Sequence, residues 1–327
     1  MWGDGMDELR LKAKAYNDLK EYEKALNLYE EIRKESSDYL EKYCLFNYMW
    51  CLYRVKIAHT KAFYGEEYPK TQEYIRYILK HTKNSDILYQ MTVFKVLKFY
   101  KSKENFEAEK INQWLDKLDP SKLSQEPFKL MINGRETEQQ SYKESWYALK
   151  SKVYEHLELY EDVLRITQEA LEIFPKLHNN NNIWLRRRMA IALWKLGDGE
   201  QAIKILEELI RYRKEWYMYM DLCHICTSRG NNQKALSYAT DAMLSRGEDS
   251  KKINVFSQTA KILQKMGNEK SNIIKQYVIK LKLENQWRFS QEEKSIYEAN
   301  KEFIDTYSIE KYKKAVTQIA KNLKSKM

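Results

Sequence analysis

The sequence predicts an all-α protein, an α-solenoid of stacked helical hairpins with capping helices toward the C-terminal end. Three observations carry this reading. Only nine Gly and four Pro occur in 327 residues, too little turn chemistry for a many-stranded β protein. Lys, Glu, Leu and Tyr dominate, and the first three favour helix. Finally, one pattern recurs along the chain with glycines at near-constant spacing, the mark of a repeat architecture.

The recurrence is first visible between Leu9–Ile32 and Tyr147–Ala170. In the first stretch Ala13 and Tyr16 share a helix face, followed by Leu19, Tyr22, Ala25-Leu26 and Tyr29. In the second, Ser151, Tyr154, Leu157, Tyr160, Val163-Leu164 and Ala170-Leu171 occupy the same places, and Pro175 ends the segment. Three further copies follow: Ala190, Leu193, Leu196-Gly197, Ala202-Ile203 and Leu206; then Cys223, Cys226, Gly230, Ala235-Leu236 and Ala242; then Ala260, Leu263, Met266-Gly267 and Ile279. Gly197, Gly230 and Gly267 lie 33 and 37 residues apart, close to a repeat of about 34.

This order resembles the tetratricopeptide repeat, and the resemblance covers half to two-thirds of the chain. Its residue types have packing reasons. A small Ala or Ser lets the two helices of a repeat cross closely, and an aromatic or Leu fills the space beside the crossing. Gly after Leu supplies the left-handed residue that ends the first helix. Single hairpins cannot cover their own apolar faces, so neighbours must stack. The resemblance implies a right-handed superhelix whose inner face is made by first helices. Lys20 stands where glycine is usual, Asn272 where alanine is usual, and Asn179 to Asn182 lengthen one connection.

Element by element, residues 1–38 form the first repeat and residues 39–118 are divergent helical repeats. Within the latter, Tyr39–Ala62 reads as one long aromatic helix broken near Gly65 and Pro69, followed by helices over Thr71–Lys80, Asp86–Tyr100 and Asn105–Leu118. Residues 119–140, with Pro120, Pro127 and Gly134, lack helical periodicity and read as an irregular insertion. Residues 141–286 form the main repeat array. Residues 287–327 read as capping helices through Ile296, Phe303, Ile304, Tyr307, Tyr312, Val316, Ile319 and Leu323, with a lysine-rich outer face.

The chemistry-bearing motifs are few. No GxGxxG, Walker loop, GxSxG or HExxH occurs, so no nucleotide, hydrolase or zinc-protease site is indicated. Gly197-Asp198-Gly199 is a turn between repeat helices. Cys223-His224-Ile225-Cys226 has zinc or thiol-exchange spacing, but no second pair completes it and the register places both thiols in the core. No cofactor, metal or catalytic group is expected. Four cysteines do not make a disulfide framework. The richest apolar run, Cys44 to Tyr53, is far shorter than the roughly 20 residues of a membrane span. No secretory signal pattern opens the chain. A reduced cytoplasmic protein is expected, and the Lys, Asn, Ile and Tyr bias fits an AT-rich bacterial genome.

The family geometry turns Trp184, Arg187, Arg188, Ile191, Trp194 and Lys195 inward from one first helix. The preceding first helix contributes Lys152, Glu155 and His156. Those that follow contribute Tyr217, Asp221 and His224, then Gln258, Lys261 and Lys265. The candidate partner-binding residues are therefore Lys152, Trp184, Arg187, Arg188, Trp194, Lys195, Tyr217, His224, Lys261 and Lys265. Guanidinium groups suit carboxylate or phosphate, and Trp faces add apolar contact. The expected function is a non-enzymatic scaffold or adaptor holding an acidic protein or peptide, as accessory subunit of a larger complex. The asparagines of chaperone-associated carboxylate grooves are missing here. The alternatives are nucleic-acid binding through the same Arg, Lys and Trp surface, or a regulatory subunit of an antiviral-defence complex, a setting the resemblance to stand-alone solenoids of this type implies, and a peptide-sensing regulator. Regulators of that kind with transcriptional output carry a helix-turn-helix domain ahead of the repeats, and none is evident before Leu9.

Overall fold

Helix-forming composition and scarce glycine give helices along nearly the whole chain. The computed structural model describes residues 4–326, which hold seventeen α-helices and one two-stranded sheet. They form two compact units, Met1–Glu158 and Leu159–Met327.

In the N-terminal unit, α1 (Asp4–Asp18) and α2 (Tyr22–Glu35) form the first hairpin. Ala13 and Ala25 are fully buried there, as the small-residue positions predict. The expected long helix over Tyr39–Ala62 is instead broken into α3 (Ser37–Tyr43) and α4 (Leu45–Leu52), with Cys44 off helical geometry at φ −126°, ψ −11°. A π turn over Tyr53–Ile57 follows, its Ala58 N–H donating to the Tyr53 carbonyl at 2.8 Å. The reason is steric. Tyr39, Leu40, Tyr48, Met49, Cys51, Leu52, Tyr53 and Ile57 are all buried, and a straight helix would spread them around its circumference; the breaks return them to one core. Pro69 does not break a helix, because it sits in the first turn of α5 (Glu67–His81), where no helical N–H is needed. Helices α6 (Ile87–Lys101), α7 (Ala108–Leu115) and α8 (Tyr142–His156) complete the unit. Buried Lys150 on α8 donates to Asp116, 34 residues earlier, and to Asn112.

The segment 119–140 is more ordered than its composition suggests. After a 3₁₀ turn over Pro120–Lys122, β1 (Phe128–Ile132) pairs antiparallel with β2 (Arg135–Gln139), Ile132 opposite Arg135. Asn133 and Gly134 both have positive φ, +51° and +75°, as a two-residue type I′ hairpin turn requires.

The C-terminal unit starts with α9 (Tyr160–Ile173) and continues as hairpins α10 (Asn181–Lys195)/α11 (Gly199–Tyr212), α12 (Trp216–Ser228)/α13 (Asn232–Leu244) and α14 (Ile253–Lys265)/α15 (Lys270–Glu284). Each second helix also packs on the first helix of the next hairpin, the stacking of an α-solenoid. The core between them holds Ala190, Ala202, Cys223, Cys226, Ala235 and Ala260, all buried, as the repeat register predicts. Helix α16 (Gln291–Thr306) lies on α15, and α17 (Ile309–Lys324) covers α13 and α15. Tyr312, Val316, Ile319 and Leu323 are buried as expected of a cap, whereas Phe303 is exposed. Part of the lysine-rich face is paired within the protein: Lys313 reaches Asp249, and Lys324 reaches Asp241.

The turns show the repeat most directly. Gly197, Gly230 and Gly267 have φ of +102°, +77° and +68°. At each, the glycine N–H donates to the carbonyl three residues back and the next N–H to the carbonyl five residues back, as in Asn231 to Cys226 at 3.0 Å. This is the Schellman closure of a helix C-terminus. Lys20 repeats it with φ +63°, its neighbour Glu21 donating to Tyr16 at 2.9 Å. The non-glycine residue therefore holds the glycine conformation. These turns and the helix order make the hairpins tetratricopeptide-like.

Candidate partner-binding face

Helical spacing places Trp184, Arg187, Arg188, Ile191, Trp194 and Lys195 along one side of α10. On the neighbouring first helix, α12, Tyr217, Asp221, His224 and Ser228 follow the same spacing. The two stripes meet in three rungs, each joining residues 33 or 34 apart. Trp184 stacks on Tyr217, ring centroids 5.5 Å apart and planes 18° from parallel. Arg187 donates through Nε and Nη2 to the Asp221 carboxylate at 2.6 and 3.0 Å. Trp194 Nε1–H donates to Ser228 Oγ at 3.1 Å.

Arg187 is thus engaged within the chain. Its fork grips Asp221 of the same chain, and its guanidinium also lies 5.3 Å from the Tyr217 ring centre. It braces the face from within. Half-buried Arg188 shares the helix, and exposed Lys195 lies over Trp194 at 4.7 Å and Tyr160 at 5.9 Å from the ring centres. Burial raises the Tyr217 phenol pKa, reinforced by Glu215 and opposed by Arg213 and Arg187. His224 is solvent-exposed on one side yet crowded by protein, and this loss of water lowers its pKa; Asp221 opposes the shift and Lys195 adds to it. The imidazole is neutral near pH 7.

The remaining candidates lie elsewhere. Exposed Lys261 and Lys265 stand on α14, where Lys261 helps line a cavity of about 260 Å³ shared with α15 and α16. Lys152 belongs to the N-terminal unit, its ammonium 4.3 Å from the centre of the Phe106 ring. The thiols of Cys223 and Cys226 are buried, and burial pushes the Cys223 pKa up to about 12, the opposite of a reactive thiol. Among the described residues no group of three or more His, Cys, Asp or Glu is placed to hold a metal ion.

Sequence reasoning missed a second concavity, in the N-terminal unit. A groove of about 520 Å³ runs between α5, α6 and α7, lined among others by Tyr68, Ile75, Arg76, Lys80, Tyr100 and Trp114. Tyr68, Gln72, Ile75, Arg76, Leu79 and Lys80 follow helical spacing on α5, so the stripe is visible in the sequence once α5 is known to start at Glu67. No described helix is long and apolar enough to cross a membrane.

No family model matches the sequence, and no curated protein is similar to it. Among solved structures, the chain is similar to a tetratricopeptide repeat protein from Parabacteroides merdae ATCC 43184, at 16% identity, covering 90% of this chain and 98% of that one, with a TM-score of 0.41.

Proposed function

We propose that the protein is a non-catalytic scaffold that holds a protein or peptide partner across the shared face of α10 and α12. The three-rung ladder carries this reading, because it fixes large aromatic groups in place before any partner arrives. Preorganised Trp and Tyr surfaces bind with little loss of side-chain entropy. Arg188 and Lys195 beside them favour a partner with acidic as well as apolar groups. Asp221 tempers this preference by neutralising Arg187, so the ladder contributes apolar area and the flanking cations contribute selectivity. The partner is expected to be cytoplasmic and bacterial, within a larger complex.

The test compares wild type with Trp184→Ala/Trp194→Ala and with Arg188→Glu/Lys195→Glu, first by capture and identification, then by titration of the captured partner. Both variants should weaken binding at least about tenfold, as expected for removal of interface anchors. Unchanged affinity in both would refute the site. A preference for single-stranded RNA or DNA with a steep salt dependence would instead identify nucleic acid as the partner.

A further inference from the structure

The strand β1 presents a surface that the scaffold reading leaves unused. Its side chains are all exposed, with Phe128 at 40%, Leu130 at 50%, Met131 at 70% and Ile132 at 45%. Among the described residues its only ladder partner is β2. Among the described residues, no backbone hydrogen bond outside the hairpin involves residues 128–132. One edge of an apolar strand is therefore open, the arrangement that invites pairing with another strand. Phe128 anchors the hairpin edge-on against Tyr142, which stacks on Phe94.

The hairpin register fixes how that edge can be used. In a two-residue hairpin, the closing pair Ile132–Arg135 is hydrogen-bonded, and the pairs alternate along the ladder. Residues 128, 130 and 132 thus point their backbone groups at β2, while Lys129 and Met131 point theirs outward. A two-fold antiparallel pairing of β1 with the same strand of a second copy, centred on Leu130, sets Lys129 opposite Met131 of the second copy and lets the two exchange hydrogen bonds. Leu130 then faces Leu130, and Phe128 faces Ile132, all on one apolar face. No like charges meet.

The other edge lacks this complementarity. Pairing β2 with itself about Thr137 would set Glu136 directly opposite Glu138, a like-charge contact that destabilises strand pairing. Charge guards the β2 edge and leaves the β1 edge open. We infer that the chain self-associates through β1, joining two hairpins into a four-stranded sheet. The contact is small, so the association is weak and depends on concentration.

Sedimentation of the full chain over a concentration series should show a monomer–dimer equilibrium. Leu130→Lys puts two ammonium groups opposite each other at the symmetry centre, and the dimer dissociation constant should rise at least about tenfold. Far-UV circular dichroism should not change, because the position is exposed. Register is read by mild oxidation. Facing residues of a non-hydrogen-bonded pair lie about 4.5 Å apart at Cα, near disulfide distance, so Leu130→Cys should cross-link to a dimer. Ile132→Cys, on the same face, should not, because it lies opposite Phe128. The four native thiols are buried and leave the readout clean. A monomer at every concentration, assembly beyond the dimer, or equal cross-linking at both positions would overturn the inference.

Discussion

At the scale of single residues, one backbone angle recurs just past the C-terminal ends of helices. Glycine supplies it at Gly197, Gly230 and Gly267, whereas Lys20, Glu158 and Gln286 adopt φ of +63°, +57° and +56° at equivalent positions. A side chain in the left-handed region costs about 1 kcal/mol. Lys20→Gly is therefore expected to stabilise the first hairpin by up to about 1 kcal/mol, raising its melting temperature. Gly230→Ala should cost about the same. No atom lies within 4 Å of the added Cβ, so that loss reports backbone angle alone. Gly199→Ala is a different experiment, since its Cβ would meet Arg229 at 3.1 Å and Ile225 at 3.4 Å. Its cost measures how closely α11 approaches the residues of α12 and its C-terminal turn. Thermal melts of the three variants distinguish the mechanisms.

At the scale of helices, the Arg187–Asp221 pair ties α10 to α12. Both side chains are mostly buried, at 20% and 14% exposure. Arg187→Ala or Asp221→Ala alone removes one side of a mostly buried charge pair and should cost about 2 kcal/mol. The double variant should lose less than the sum of the two, and a double-mutant cycle read by urea unfolding checks the coupling; strict additivity would mean the pair does not brace the face. Asp221 was visible in the sequence as an inward residue, but its pairing was not. The family register orders positions along each helix, whereas the 33- and 34-residue contacts depend on how two helices are offset. The four hairpins were legible because small residues and turn glycines have local causes. The Cys44 break and the π turn were not, because packing of eight apolar side chains decides them. The β-hairpin escaped for a related reason. With every β1 residue exposed, no burial alternates along the strand, and only Asn133-Gly134 marked the turn.

For the molecule as a whole, acid acts through groups whose protonation differs between folded and unfolded chains. The folded His224 pKa lies below its ordinary value of 6.5, so the unfolded chain takes up the proton first and stability falls as pH drops below about 6.5. Glu207 adds a second loss at lower pH. Burial alone would raise its pKa, but hydrogen bonds from Tyr238 and Lys234 outweigh this and hold it below 4.5; the stability it supplies above that value disappears as the carboxylate protonates. Urea titrations at stepped pH should show both windows, and His224→Gln should flatten only the upper one. The rungs carry one more consequence. Trp184, Arg187 and Trp194 each find their contact on the following hairpin, so neither hairpin alone possesses the face. When one hairpin peels away, as the ends of repeat arrays do, the face disappears as a whole. On the proposed reading, recognition is thereby proofread by folding: a partner held across this face would engage only copies whose central repeats are already closed.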